Sequence, residues 1–278
     1  MNARKTFLIT GASSGLGRAM AHAAIAAGHR VVGTVRHEAD RAALEALDPE
    51  RANAWLLDVT EFTEIDTAVA HIEHRYGTID VLVNAAGYGH EGILEESPLQ
   101  EMRRQFDVNL FGTVAMIKAV LPHMRKRRHG HIINITSMAG YVGLAGIAYY
   151  TASKFALEGL TEALAKEVAH LGIKVTSVAP GSFRTDWAGR SMIRSPRTIE
   201  EYDALFSPIR RARQAKSGRQ KGDPAAAASA MLALTEMETP PVHLLLGNDA
   251  IDLVVPALQA RMAEIQAQAA LSRSTDFT

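Results

Sequence analysis

The chain contains no cysteine, which excludes disulfide bridges, thiolate metal sites and cysteine nucleophiles together. It carries no excess charge either: 30 Lys and Arg stand against 30 Asp and Glu, so nothing in the balance indicates nucleic acid or another polyanion as a partner. No stretch reaches the roughly 18 uninterrupted apolar residues of a membrane-spanning helix. Met1 to Lys5 leads into an apolar segment, Thr6 to Thr10, that is too short for the hydrophobic part of a secretory leader. A cytoplasmic protein without a membrane partner is expected. What remains is 278 residues, 47% hydrophobic and 22% charged, enough to bury a large core in one domain spanning residues 1–278.

Apolar runs and amphipathic stretches alternate from the first residues. Strands are predicted at Phe7–Ile9, Arg30–Val35, Ala54–Leu57, Ile79–Asn84, His131–Thr136, Lys174–Val178 and Val242–Leu246. Helices are predicted between them, at about 15–27, 39–47, 61–76, 98–126, 148–170 and 223–236. Most of the strands are continuous Val/Ile/Leu runs, the pattern of strands covered on both faces. The fold class is therefore α/β: a Rossmann-type, doubly wound parallel sheet of about seven strands with helices on both faces. Such sheets bind ligands beyond the carboxyl ends of their strands.

The first strand-to-helix turn reads Thr10-Gly11-Ala12-Ser13-Ser14-Gly15-Leu16-Gly17. Glycines let a backbone approach a pyrophosphate closely, and a helix start offers unpaired N–H groups and a positive dipole end. The spacing is not G-x-G-x-x-G, and a glycine cluster alone is also what an ordinary turn looks like. Its place in the first strand-to-helix turn favours a phosphate site. Where a site for NAD has an acidic residue to hold the ribose 2′-OH, the second strand here ends Val35-Arg36-His37. An acid would repel a 2′-phosphate and Arg36 can pair with one. The expected cofactor is NADP(H) in preference to NAD(H).

Tyr150 and Lys154 are four apart in a predicted helix and so share a face. A phenol is a poor base near neutrality, and a nearby ammonium favours the phenolate. The pair can serve as an acid/base unit, although Tyr and Lys at this spacing are equally consistent with a structural contact. Tyr149, five residues from Lys154, is a packing or substrate residue. Ser137 follows the strand ending at Thr136, and Asn84-Ala85-Ala86-Gly87 ends the fourth strand, both at the face where ligands bind. Asn109 lies inside a predicted helix, where asparagine needs a reason to be present.

Taken in order, the glycine turn, Asp58-Val59, Asn84–Gly87, Asn109, Ser137, Tyr150-xxx-Lys154 and Pro180-Gly181 resemble the short-chain dehydrogenase/reductase family along essentially the whole chain. Ala85 departs from the second asparagine more common there. Tyr149 to Val168 and the long C-terminal third look most like the branch of the 17β-hydroxysteroid dehydrogenases. The resemblance implies hydride transfer between a nicotinamide and a carbonyl or secondary alcohol. Tyr150 would be the proton donor or acceptor, Ser137 would bind the substrate oxygen, Lys154 would hold the nicotinamide ribose, and Asn109 would hold a relay water. Gly11, Ser13, Ser14, Gly15, Leu16 and Gly17 would line the phosphates, Asp58 and Val59 the adenine, and Asn84 to Gly87 the middle of the cofactor. Pro180, Gly181 and Thr185 would lie near the nicotinamide. Family members pair through the helices at 98–126 and 148–170, so a homodimer or homotetramer is expected. The rival from another class is a catalytically silent dinucleotide-binding regulator, against which the complete Asn109, Ser137, Tyr150 and Lys154 set argues.

Residues 183–221 are the least periodic part, with ten Lys and Arg against four Asp and Glu. Following a strand end, this segment is expected to be either a substrate lid, walled by Phe183, Trp187, Met192, Ile193, Leu205 and Phe206, or a static, solvated surface loop. Arg125-Lys126-Arg127-Arg128 ends a helix, where cations suit the dipole, and is read as a solvated end. His71, His74, His129 and His131 have no carboxylates in a ligand pattern, so no metal is expected. The tail 256–270 is expected to be an amphipathic helix covering the core or a subunit contact.

Overall fold

Buried Val, Ile and Leu on both faces make the apolar runs strands of a central sheet. The computed structural model describes residues 4–277; Met1 to Ala3, where the reading about a leader begins, lie outside them. In chain order come β1 (Thr6–Thr10), α1 (Gly15–Ala26), β2 (Arg30–Val35), α2 (Glu38–Glu45), β3 (Ala52–Leu56) and α3 (Phe62–Tyr76). Next are β4 (Val81–Asn84), β5 (Gly89–Glu91), α4 (Leu99–Phe106), α5 (Gly112–Arg127), β6 (Gly130–Ile135) and α6 (Ala148–Val168). The remainder holds β7 (Ile173–Pro180), β8 (Met192–Arg194), α7 (Asp203–Lys216), α8 (Pro224–Leu234), β9 (His243–Leu246), α9 (Asn248–Ala267) and α10 (Ala269–Arg273).

Seven strands form one sheet in the order β3-β2-β1-β4-β6-β7-β9, and every pairing is parallel. This is the Rossmann-type, doubly wound architecture. The order reverses between β1 and β4, so the connections after these two strands leave on opposite faces and open a crevice at their carboxyl ends. One core layer packs Ile65, Ile72, Met116, Val120 and Leu164 of α3, α5 and α6 against the sheet. The other packs Met20, Ala24, Met231 and Leu234 of α1 and α8. The start of α8 is set locally: Asp223 accepts a 2.8 Å bond from the Ala225 N–H and Pro224 occupies the first turn. A buried polar ladder crosses the sheet, with Asn84 donating to Asn134 at 2.9 Å and Asn134 to Thr161 at 3.0 Å.

Three expectations are corrected. The helix expected at 98–126 is interrupted: a π turn, Asp107–Phe111, joins α4 to α5. The aperiodic segment 183–221 contains β8, which pairs with β5 in a small second sheet, and the helix α7. Strands of three residues are too short for a period, and arginines interleaved with apolar residues hide the face of α7. The C-terminal helix begins at Asn248 and does not cover the core. Ala250 and Val254 are its buried residues, while Leu258, Met262 and Ile265 are exposed.

Candidate active site

A cleft of about 1040 Å³ runs across the carboxyl edge of the sheet. Its walls are the chain segments that follow β1, β2, β3, β4, β6 and β7, together with one face of α7. The turn after β1 supplies Gly11, Ser13, Ser14, Gly15 and Leu16. Gly11 has φ +67, and a Cβ there would stand 2.9 Å from the Ala86 backbone, so this position requires glycine. Thr10 locks that approach by accepting from the Ala85 and Ala86 N–H groups at 3.0 and 3.1 Å. No side chain caps the start of α1, whose first N–H groups face the cleft as an anion cradle.

Arg36, Asp58, Val59, Ala85, Ala86, Gly87, Pro180, Gly181 and Thr185 also line the cleft. Three of the residues expected to touch a ligand do not line it. Gly17 is packed against Gly11, where a Cβ would meet the carbonyl oxygen at 2.5 Å. Asn84 is buried in the ladder with Asn134. Asn109 is buried in the π turn and fastens the segment after β4: its Oδ1 accepts from the Tyr88 N–H, and its Nδ2 donates to the Tyr88 carbonyl at 3.1 Å and to Ser153 at 3.2 Å. The π turn is the reason an asparagine sits there.

Ser137, Tyr150 and Lys154 meet in the middle of the cleft. Tyr150 and Lys154 lie one turn apart on α6, with the ammonium 5.7 Å from the phenol ring centre. Lys154 donates to the Ile135 carbonyl at 2.8 Å, which holds it against the end of β6. Ser137 accepts from the Ala139 N–H at 3.1 Å, leaving its own proton for Tyr150. Burial pushes the Tyr150 phenol up to about 12, and the hydrogen bond with Ser137 opposes that rise. Burial pulls the Lys154 ammonium down to about 8, against the attraction of Glu158. A phenol raised in this way keeps its proton at neutral pH. Tyr149 faces elsewhere, donating to the Ser97 carbonyl at 2.7 Å and stacking on His90.

Glu158, a further turn along α6, is the centre of a buried polar cluster that sequence reasoning missed. It takes hydrogen bonds from Thr136, from Tyr141 at 2.8 Å and from Ser177 at 2.8 Å, and contacts His243 at 3.1 Å. Thr136 and Tyr141 bracket Ser137 in the chain, so Glu158 clamps the segment that carries it. The Tyr150-to-Glu158 spacing of two turns is the signal that would have found it. Trp187 tilts over Tyr150 with ring centres 5.0 Å apart. Of the residues expected to wall a substrate, Phe183, Trp187 and Ile193 line the cleft, Met192 and Phe206 are buried behind it, and Leu205 is exposed.

The sheet reversal and the glycine turn at the start of α1 define a Rossmann-type nucleotide-binding fold. The chain belongs to the short-chain dehydrogenase family, whose model matches residues 5–194. It is 36% identical over 260 residues to oxidoreductase BOA17 of Botryotinia fuckeliana, covering 93% of this chain and 94% of that protein. A short-chain dehydrogenase from Streptomyces avermitilis has a crystal structure that matches with a TM-score of 0.92 at 42% identity, over 99% of this chain and 100% of that one. ElxO with NADP bound matches with a TM-score of 0.75 at 26% identity, over 90% and 100%. No described helix is long and apolar enough to cross a membrane.

Proposed function

We propose that the protein is an NADP(H)-dependent oxidoreductase that interconverts a carbonyl compound and a secondary alcohol, with Tyr150 as the acid/base. The observation that carries this reading is the opening of the Ser137–Tyr150–Lys154 cluster into the same cleft as the Gly11–Leu16 cradle. NADP in the similar ElxO supports the choice of cofactor. The cleft fits that group: an uncapped helix start for the pyrophosphate, glycine where a Cβ would close the cradle, and Arg36 at the rim for a 2′-phosphate. Asp58 and Val59 would flank the adenine, Lys154 the nicotinamide ribose, and Pro180, Gly181 and Thr185 the nicotinamide. When bound, the cofactor supplies or accepts the hydride.

The protein's own groups manage the proton. Ser137 donates toward the oxygen that reacts, and Tyr150 gives its phenolic proton to that oxygen during reduction or takes it back during oxidation. Lys154, held by Ile135, stabilises the phenolate that reduction leaves behind. Both Nδ2 protons of Asn109 are taken by Tyr88 and Ser153, so a relay water at this residue would donate to an oxygen, Oδ1 or the main-chain carbonyl that also takes the Thr113 hydroxyl at 3.4 Å. Residues 183–221 serve as the substrate wall and lid. The C-terminal third and Tyr149 to Val168 support a substrate range like that of the 17β-hydroxysteroid dehydrogenases. Exposed Leu99 and Phe111 on the α4–α5 side support pairing with a second copy.

The test is NADPH oxidation against a panel of ketones, aldehydes and steroids, run with Tyr150→Phe. Turnover should fall by about 10²–10⁴ while the cofactor still binds. Tyr149→Phe should cost far less, since among the described residues that hydroxyl bonds only to the Ser97 carbonyl. Undiminished turnover in Tyr150→Phe would remove the assignment.

A further inference from the structure

We propose that the substrate carries an anionic group at its far end, received by Arg213 and Lys216 of α7; this rests on the reading above and names the substrate class. The helix turns Ile209, Ala212, Arg213 and Lys216 toward the cleft, a spacing that puts all four on one face. The cleft that holds this face and Tyr150 is also walled by the apolar Leu144, Ile147, Trp187 and Ile193. A substrate lying along it meets the acid at one end, an apolar middle, and cations at the other.

The positive charge there is in excess. Glu91 is fully buried, and its two oxygens serve three guanidinium groups: Arg194 at 2.8 Å, Arg210 at 3.5 Å, and Arg213. Beside it Arg197 pairs with Glu96 at 2.5 Å and Asp203 at 2.6 Å. Together the cluster holds four arginines and three carboxylates, a surplus of one positive charge. Arg213, largely buried, makes one further bond, 3.3 Å long, to the Ala145 carbonyl. Lys216 adds a second surplus charge, with no ion-pair or hydrogen-bond partner among the described residues.

The acids lining the cleft do not compensate. Asp186 is paired with Arg190 at 3.2 Å, and Asp40 and Asp58 stand with Arg36 beyond the ends of β2 and β3. Lys216 is solvent-exposed and only Arg213, which shares Glu91, is largely withdrawn from water, so an anion at the cleft end would gain a partly desolvated guanidinium and an ammonium that no described acid pairs. An apolar chain with an oxo or hydroxyl group at one end and a carboxylate at the other has the matching pattern. An alkyl phosphate presents the same charge with more acceptor oxygens.

The experiment is calorimetric titration of the NADP⁺-saturated protein with straight-chain carboxylates from butanoate to decanoate, each against its neutral amide, and with alkyl phosphates of the same lengths. At one chain length or more the acid should bind at least about tenfold more tightly than the amide, as a charge-assisted hydrogen bond provides. A larger advantage for the phosphate would identify the anion as a phosphate rather than a carboxylate. Lys216→Gln should reduce the preference for the anion and Lys216→Glu should abolish it. Equal binding of acid and amide at every length, no binding of any acid at millimolar concentration, or an unchanged ratio in Lys216→Glu would overturn the proposal. Failure to bind NADP⁺, or to reduce any neutral carbonyl, would instead strike the oxidoreductase reading.

Discussion

On the proposed preference for NADPH, replacing Arg36 by alanine should leave a protein that scarcely distinguishes NADPH from NADH. Arg36 follows the end of β2 at the rim of the cleft, and its only ion-pair contact among the described residues is Asp58 at 3.9 Å. The Arg36 side chain is 69% exposed. A pair so long and so wet contributes close to nothing, and the arginine is free to turn to a 2′-phosphate. Position 35, where an acid would have repelled that phosphate, is a buried valine. A charge-assisted hydrogen bond contributes about 1.5–3 kcal/mol, or roughly tenfold to a hundredfold in affinity. Exposure to salt places this one toward the lower figure. Fluorescence titration of NADPH and NADH against wild type and Arg36→Ala should show about a tenfold loss for NADPH and little change for NADH. The wild-type NADPH affinity should also weaken more steeply with added salt. Equal wild-type affinities, or equal losses for both cofactors in the variant, would refute the reasoning.

The two directions of reaction should differ in pH dependence. Tyr150, pushed up to about 12, is protonated throughout the neutral range, so reduction should be flat up to about pH 8 and fall as Lys154, pulled down to about 8, loses its proton. Oxidation needs the phenolate and should climb as pH rises; an oxidation rate greatest in acid would contradict this. Because Glu158 favours the Lys154 ammonium, Glu158→Gln should move the alkaline fall in reduction to lower pH, and an unmoved profile would exclude electrostatic coupling between them. If 183–221 closes over ligands, trypsin cleavage after the exposed Arg211 should slow when NADP and a substrate analogue are both present; a rate unchanged by saturating ligands would leave it a fixed wall.

The parts of the fold that could be read from the residues are those whose environment is uniform along the segment. β1 and β4 are buried at every position and therefore carry apolar runs, Phe7-Leu8-Ile9 and Val81-Leu82-Val83. Cleft residues that follow such strands, such as Arg36, Ser137 and Gly181, are located by the strand end alone. What escaped depends on contacts between distant segments. β5 and β8 are too short to show a period and form only because they pair with each other across about a hundred residues of chain. Glu91 reads as a surface acid until three arginines from 194 to 213 are brought to it. The raised phenol of Tyr150 arises from burial under neighbours such as Trp187, which the Tyr/Lys spacing does not encode.

The π turn between α4 and α5 makes this stretch sensitive to length. In it the Gly112 N–H reaches back to the Asp107 carbonyl, one residue further than in an α-helix. The turn takes up about one more residue than the roughly 3.6 of an α-helix, so removing one residue from Asp107–Phe111 would restore a regular helix and leave α4 and α5 close to their present phases. Met116, Val120 and Met124 of α5 would keep their packing, and the loss would fall on the turn itself, on Asn109 with its bonds to Tyr88 and Ser153. The extra residue thus widens the helix at Asn109 without displacing either flank. A deletion that improves the local helix would therefore release the segment after β4, whereas in an ordinary surface connection a change of one residue is absorbed.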